Sequence, residues 1–216
     1  MGHQTKHKSW IVLGALATGL ALAAASWGPI VSNVEQAKYT VVESAGNFEI
    51  RDYEPMIVAE TDVTGTRQSA IREGFRIIAD YIFGNNLASR KIAMTDLVTQ
   101  QTNEKIAMTA PVIQQGDGHT WQIRFVMPAS YTMETLPKPK NMAVSLKETK
   151  GGRFAVIRFS GIPRHINLQC HTEKLQALIR ARNLNATSPP IYAFYNPPWT
   201  LPPLRRNEIL IELKEP

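Results

Sequence analysis

The chain has 216 residues, of which 44% are hydrophobic and 19% are charged. This is the balance of an ordinary globular domain, and it excludes a disordered chain, a collagen-like chain and a protein with many membrane spans. The formal net charge of +6 favours anionic partners, but the basic residues are scattered and do not predict nucleic-acid binding. A single cysteine, Cys170, excludes an internal disulfide framework and a cysteine-based zinc finger.

The first 34 residues have the composition of an export or anchor segment. No Asp, Glu, Lys or Arg occurs from residue 9 to residue 34, and Lys6 and Lys8 precede this apolar run. A basic flank before an apolar run is retained on the cytoplasmic side of a membrane. The rest of the chain is therefore expected to be exported.

Two interpretations of this segment remain open. The run from residue 10 to residue 31 is long enough to span a bilayer as a helix. The small residues at 23–25 are instead typical of a signal-peptidase site. We predict that residues 1–34 are a signal anchor or a signal peptide, and that residues 35–216 form one domain. That domain is expected to be membrane-anchored and extracytoplasmic, or released after cleavage, and periplasmic if the source is bacterial.

The exported part begins with a predicted hairpin. Residues 39–43 and 48–51 have strand character, and the turn residues 45–47 separate them. Pro55 interrupts the β pattern, which resumes immediately afterwards.

A helix is predicted over residues 66–83. Ile71, Phe75, Ile78 and Ile82 fall at the spacing of one helix face. A glycine and two asparagines follow, which is a typical helix stop.

A short sequence then occurs twice, fourteen residues apart. Lys-Ile-Ala-Met-Thr stands at residues 91–95 and again at 105–109. Two similar strands on either side of a turn are the simplest interpretation. A turn at residues 115–119 and a strand at 121–127 are predicted to follow.

The second half repeats this order of elements. Its predicted elements are strands 142–148 and 154–159, a helix at 168–182, and strands 191–195 and 208–213. Asn167 is the expected N-cap of the second helix. The arrangement predicts an α+β fold, a curved sheet or distorted antiparallel β-barrel of about eight strands with two helices, internally duplicated.

The first helix carries a candidate binding surface. Arg72 and Arg76 lie one turn apart and flank Phe75. A flat hydrophobic ligand with carboxylates could bury its ring against Ile71, Phe75 and Ile78 while the arginines pair with its acid groups. The alternative is a solvated helix edge whose arginines pair with nearby acids.

The second helix carries a candidate iron ligand. His171 lies on an apolar row between Leu168 and Leu175. It is either a core histidine with a backbone partner or a residue facing a cofactor, since neutral imidazole binds haem iron well. Cys170 lies about 100° further round the helix and is expected to be a small buried thiol.

The loop at residues 196–203 contains four prolines in eight residues. Such a segment cannot join the interior of a sheet. With Trp199 it could line the mouth of a pocket, or it could cover an open end of the sheet. The nucleophile-elbow, Walker, dinucleotide-binding and zinc-protease motifs are all missing from the sequence, which favours a binding protein over an enzyme.

The combined pattern resembles the SOUL family of haem-binding proteins. The segments that carry the resemblance are 39–43, 48–53, 74–75, 81–85, 91–95, 105–112, 125–128, 136–137, 158–161 and 195–208. They cover essentially the whole exported part. The order of Ala-Met-Thr-Ala-Pro-Val, Asn-Pro-Pro-Trp and Arg-Arg-Asn-Glu along the chain is specific.

The resemblance implies a distorted β-barrel with two helices, built from an internal repeat. It also implies binding of haem or free porphyrin, by a carrier, buffer or sensor, in a largely hydrophobic site without one shared axial ligand. Tyr53 stands near the place where a histidine ligand has been proposed for some relatives. Asp96-Leu97 replaces the usual Ala-Pro after the first copy of the repeated sequence.

Three other functions compete with tetrapyrrole binding. The chain could bind another amphipathic ligand, such as a lipid or a quinone. It could be a protein-interaction domain that uses the proline-rich loop, although no protein partner can be named from the sequence. It could also act on haem, since haem chemistry can reside in the cofactor.

Overall fold

A computed structural model of the chain describes residues 34–88 and 103–214. The helices are α1 (Arg67–Ile82) and α2 (His165–Ala181). The strands are β1 (Tyr39–Ala45), β2 (Phe48–Tyr53), β3 (Met56–Thr64), β4 (Asn86–Leu87), β5 (Val112–Gly116), β6 (Thr120–Val126), β7 (Lys138–Pro139), β8 (Ser145–Thr149), β9 (Gly152–Phe159), β10 (Ile191–Phe194) and β11 (Asn207–Glu212). Nine of them form one curled antiparallel sheet in the order β1-β2-β9-β11-β10-β5-β6-β3-β8, and β4 pairs with β7.

The order of the strands shows the internal duplication. In the first half, β3 leads into α1 and then into the hairpin β5–β6, and β6 pairs with β3. In the second half, β9 leads into α2 and then into β10–β11, and β11 pairs with β9. The halves meet where β5 pairs with β10. One strand of each half also pairs with the other half, since β2 of the first half pairs with β9 and β8 of the second half pairs with β3.

Both helices cover the same face of this sheet. Residues paired across antiparallel strands point to one face, and one such row runs through Ile123, Gln114, Tyr192, Ile209, Ile157 and Phe48. Ile78 of α1 packs in the core that contains Ile123, and Leu175 of α2 packs in the core that contains Ile157. Each half of the sheet thus has its own helix.

The beginning of the described chain covers the opposite face. Val34 packs against the cluster that contains Tyr195 and Leu210. The Ala110 N–H donates to the Glu35 carbonyl at 2.9 Å, so this segment lies beside the centre of the sheet.

The predicted hairpins and helices are confirmed within small differences at their ends. Among the described residues, nine strands form the main sheet, where about eight were expected. β1 and β2 enclose a turn whose Gly46 has φ +66°, a conformation that glycine adopts without a Cβ penalty. α1 begins after Thr66, whose side chain accepts a hydrogen bond from Ser69 N–H.

Two local predictions were wrong. Residues 105–109 form no strand. The backbone of this segment is instead hydrogen-bonded to the end of α1, where Ile106 N–H donates to the Ile82 carbonyl at 2.9 Å. Asn167 is not the N-cap of α2, which begins two residues earlier. The cap position belongs to Arg164, and the Asn167 amide donates to the Ile162 carbonyl at 3.2 Å.

Two other predictions lie outside the described residues. They are the segment 1–33 and the first copy of the repeated sequence, residues 91–95. Within residues 34–88 and 103–214, no helix combines the length and the apolar composition needed to cross a bilayer.

Candidate ligand-binding site

α1 lies unusually close to the sheet because of Gly74. A Cβ added at this position would come within 2.8 Å of Ile123 Cβ on β6, a separation that real side chains do not tolerate. Ile78 lies on the same side of α1 and has no exposed surface. The predicted ligand-contact residue Ile78 therefore belongs to the core beneath the helix, where it holds α1 in place.

Phe75 is the exposed aromatic residue of this helix face. Its side chain is 38% exposed, and its ring centroid lies 5.4 Å from that of the buried Phe125. Ile71, one turn earlier, is half-buried against the same core. A half-open apolar surface therefore continues directly into the core of the first half of the molecule.

The two predicted arginines border Phe75 on its solvent side. Arg76 is paired with Glu73, since its Nη2 lies 2.5 Å from Glu73 Oε1 and its Nε donates to Oε2 at 3.1 Å. This bond lowers the pKa of the Glu73 carboxyl, which is about half exposed. Solvent screens such a pair strongly, so Arg76 can exchange Glu73 for a ligand carboxylate at little cost. Arg72 is exposed and makes no hydrogen bond or ion pair with another described residue.

Arg67 extends this surface toward the second half, and the sequence analysis missed it. Arg67, Ile71 and Phe75 follow one another at intervals of four residues and share one side of α1. The Arg67 guanidinium donates to Gln114 Oε1 at 3.2 Å and to the Pro163 carbonyl at 2.7 Å. Burial lowers the pKa of Arg67, which remains a cation. The sequence feature that could have identified Arg67 is its position one helical turn before Ile71.

His171 is not brought together with Phe75. α1 contacts β3 and β6, whereas α2 contacts β9 and β11. The His171 ring stacks on Phe159, with centroids 4.1 Å apart and planes at 18°. Its Nδ1 lies 2.8 Å from the Asn167 carbonyl oxygen, so Nδ1 carries the proton and Nε2 is the nitrogen with a free lone pair. An iron bound by Nε2 would therefore lie at α2, away from the Phe75 surface.

Cys170 differs from the expectation. Its thiol is exposed rather than buried. The reason is its position on α2: Cys170 lies about 200° round the helix from Leu168, so it points to solvent while Leu168 and Leu175 face the sheet.

Tyr53 lies on the sheet face opposite the helices. Its hydroxyl accepts a hydrogen bond from Arg51 Nη1 at 3.1 Å. Burial raises the pKa of Tyr53 to about 12, which opposes the phenolate form that binds iron. The position is therefore part of the structure of β2.

A buried polar cluster is the second feature that the sequence analysis missed. Glu208 has no exposed surface and accepts two hydrogen bonds from Arg51, at 2.8 Å and 3.0 Å. Tyr195 Oη and Arg206 Nε donate to the same carboxylate at 2.8 Å and 2.9 Å. Burial acts to raise the pKa of Glu208, but the hydrogen bonds and positive charges of Arg51 and Arg206 lower it overall.

This cluster holds both ends of the proline-rich loop, because Tyr195 precedes the loop and Arg206 follows it. The available signal was an Arg-Arg-Asn-Glu sequence next to an apolar strand. Charged side chains in such a place require buried partners.

No group of three or more His, Cys, Asp or Glu side chains that could hold a metal ion occurs among residues 34–88 and 103–214. The Phe75 surface combines a half-open aromatic ring with the exposed cationic side chains of Arg72 and Arg76.

The fold thus defines the class of the protein: a duplicated α+β domain with two helices on one face of a curled sheet. The family model of the SOUL heme-binding protein matches residues 34–212, and the chain belongs to this family. No curated protein sequence matches the chain significantly.

Solved structures share the fold at low sequence identity. The EcmrR C-terminal domain has a TM-score of 0.56 and 9% identity, covering 82% of this chain and 99% of that one. A protein described as a hydrolase from Listeria innocua has a TM-score of 0.51 and 12% identity, covering 80% and 94%. An uncharacterized conserved protein from the same organism has a TM-score of 0.52 and 13% identity, covering 78% and 92%. At these identities the likeness concerns the fold alone.

Proposed function

We propose that this chain is a tetrapyrrole-binding protein, and that the macrocycle lies against α1. The observation that carries the proposal is Phe75, a half-open aromatic ring over the core with a cationic side chain before and after it. Membership of a heme-binding family supports the ligand class. The ring would stack on Phe75 and Ile71, and Arg72 and Arg76 would bind the carboxylates. A bound haem would supply its own redox or ligand-binding chemistry, while these residues bind and orient it.

The affinity of this site is expected to come mainly from apolar contact. The exposed part of the Phe75 side chain is 38%. For an aromatic side chain of about 200 Å² that fraction is roughly 75 Å², worth about 2 kcal/mol, or about 25-fold in the dissociation constant.

A carrier, buffer or sensor of tetrapyrrole, rather than an enzyme, agrees best with the described residues. The exposed arginines beside Phe75 bind charge and are poor proton donors or acceptors at neutral pH.

We also propose that the N-terminal segment tethers the domain to the outer side of a membrane. The apolar run without charges at residues 9–34 and the basic residues before it support this. Val34 packs into the domain core, so a span ending at Val31 would hold the domain close to the lipid.

A difference-absorbance titration tests the binding proposal. The domain 34–216, which keeps Val34 in its core, is titrated with ferric haem and with metal-free protoporphyrin. Phe75→Asp is expected to weaken the binding of both compounds by at least about 25-fold, because it removes the apolar contact worked out above. Phe83→Asp is the matched control, since Phe83 ends the same helix and is 56% exposed.

The same titration decides the role of His171. His171→Ala is expected to leave the binding of both compounds nearly unchanged. If His171→Ala abolishes the haem shift and Phe75→Asp does not, the ring is held by iron ligation at α2 and the α1 site is wrong. Displacement of porphyrin by a lipid or a quinone of equal affinity would favour the alternative amphipathic ligand.

A further inference from the structure

A group of exposed apolar side chains lies where the proline-rich loop meets the start of α2. We call it the Trp199 patch. Its members are Ile162, Ile166, Trp199, Leu201 and Leu204, which are between 42% and 73% exposed. Five large apolar side chains with this exposure, on two segments that are hydrogen-bonded to each other, are the kind of surface that marks an interaction site.

The two segments of the Trp199 patch are bound to each other. Gly161 N–H donates to the Pro202 carbonyl at 2.8 Å, and the Asn207 amide donates to the Gly161 carbonyl at 3.0 Å. Arg205, which follows the loop, also holds it in place, because its guanidinium donates to the carbonyls of Thr200, at 2.7 Å, and Pro198. The apolar side chains are therefore presented by an ordered backbone, and docking them costs little conformational entropy.

The charge of the Trp199 patch is entirely positive. Residues 160–166 and 196–206 contain no Asp or Glu. Arg164 is exposed close to Ile162 in the chain, and Arg205 follows the proline-rich loop. Tryptophan, aliphatic side chains and arginine without acids form the combination that enters the interface of a bilayer with anionic lipids.

The patch also lies beside the point where the chain enters the domain. Gln36 Oε1 accepts a hydrogen bond from Arg206 Nη1 at 2.9 Å, and Arg206 lies two residues beyond Leu204. Val34 packs against the cluster that contains Tyr195, the residue that precedes the proline-rich loop. Val34 follows Val31 by three positions, and a stretch of chain of that length spans at most about 10 Å.

We propose that the Trp199 patch lies on the lipid surface of the membrane that holds the N-terminal segment. The inference rests on the membrane tether of the proposed function and adds an orientation to it. A tether of about 10 Å brings the end of the domain near Val34 against the bilayer, and the apolar, acid-free patch is at that end. Trp199, Leu201 and Leu204 then enter the headgroup region, and Arg164 meets anionic phosphates.

Site-directed fluorescence on the full-length chain tests this orientation. In a Cys170→Ser background, which removes the only cysteine, an NBD probe is attached to Leu201→Cys or to Leu204→Cys. Met142→Cys is the control, since Met142 is fully exposed and precedes β8, an edge strand four places from β10 in the sheet. The chain is reconstituted into vesicles of phosphatidylcholine and phosphatidylglycerol, with and without brominated acyl chains.

The expected result is that bromolipid quenches the probes at 201 and 204 several-fold more than the probe at 142. Leu204→Glu is expected to abolish the quenching at 201 while the chain still floats with the vesicles. If the chain floats and the probes at 201 and 204 are quenched no more than the probe at 142, the patch does not lie on lipid, although the tether stands.

Two further results would also overturn the inference. If the chain does not float, the tether and the orientation both fail, whereas porphyrin binding by the domain is unaffected. If the probes at 201 and 204 respond to protein concentration and not to bromolipid, the patch is covered by a second copy of the chain.

Discussion

Removing the carboxylate of Glu208 is the sharpest test of how this fold is held together. Glu208 and Arg51 are both buried and joined by two hydrogen bonds, and Arg206 and Tyr195 bind the same carboxylate. Glu208→Ala would leave the Arg51 guanidinium buried without its main counter-charge. Breaking a buried pair in this way costs about 3–5 kcal/mol.

The magnitude can be converted into a melting temperature. For a domain of 150–250 residues, 1 kcal/mol corresponds to about 2–4 °C, so Glu208→Ala is expected to lower Tm by about 6–20 °C. The assay is urea and thermal unfolding of the domain 34–216, followed by far-UV circular dichroism.

Asp52→Ala is the matched control for this comparison. Asp52 on β2 pairs with Arg153 on β9 at 2.7 Å, but the Asp52 side chain is 43% exposed. Its loss is expected to cost less than about 1 kcal/mol. Equal costs for Glu208→Ala and Asp52→Ala would refute the reasoning, because burial would then not be what makes the Glu208 pair strong.

Three further predictions concern stability and reactivity. The folded state lowers the pKa of Glu208 below its ordinary 4.5. The contribution of Glu208 to the free energy of unfolding is therefore complete above about pH 4.5 and is lost as the pH falls through the lower folded pKa. Unfolding measured at a series of pH values should show this loss of stability in acid, and Glu208→Gln should reduce it. Gly74→Ala should destabilise the domain by about 1–3 kcal/mol despite the better helix propensity of alanine, because the new Cβ overlaps Ile123. If urea unfolding finds the variant as stable as the original or more stable, the close approach of α1 to the sheet is contradicted. Cys170 should react with a thiol reagent in the native state, since it is exposed; reaction only after unfolding would show that it is buried.

The binding site illustrates what periodicity can and cannot find. The spacing of Ile71, Phe75 and Ile78 placed the helix correctly, because an apolar side chain every three or four residues must face a core. The spacing could not distinguish Ile78, which is buried in the core, from Phe75, which is partly exposed. That division depends on how close α1 lies to β6, and Gly74 sets this distance through a contact with Ile123, forty-nine residues away in the chain.

Histidine placement shows the same limit. His171 was correctly assigned to a helix, and its backbone partner at Asn167 is a local contact that the sequence analysis considered. The separation of His171 from Phe75 could not be predicted from the sequence, because it depends on which half of the duplicated sheet each helix covers.

The sequence by itself determined the element types, the duplication and the family. These follow from local periodicity, turn residues and motif order, which are properties of neighbouring residues. The tertiary structure decided the exchange of β2 and β8 between the halves, the Arg51–Glu208 pair 157 residues apart, and the joining of residues 161 and 202 into one exposed surface. Those features depend on contacts between distant segments, and a linear pattern carries no measure of which distant segments meet.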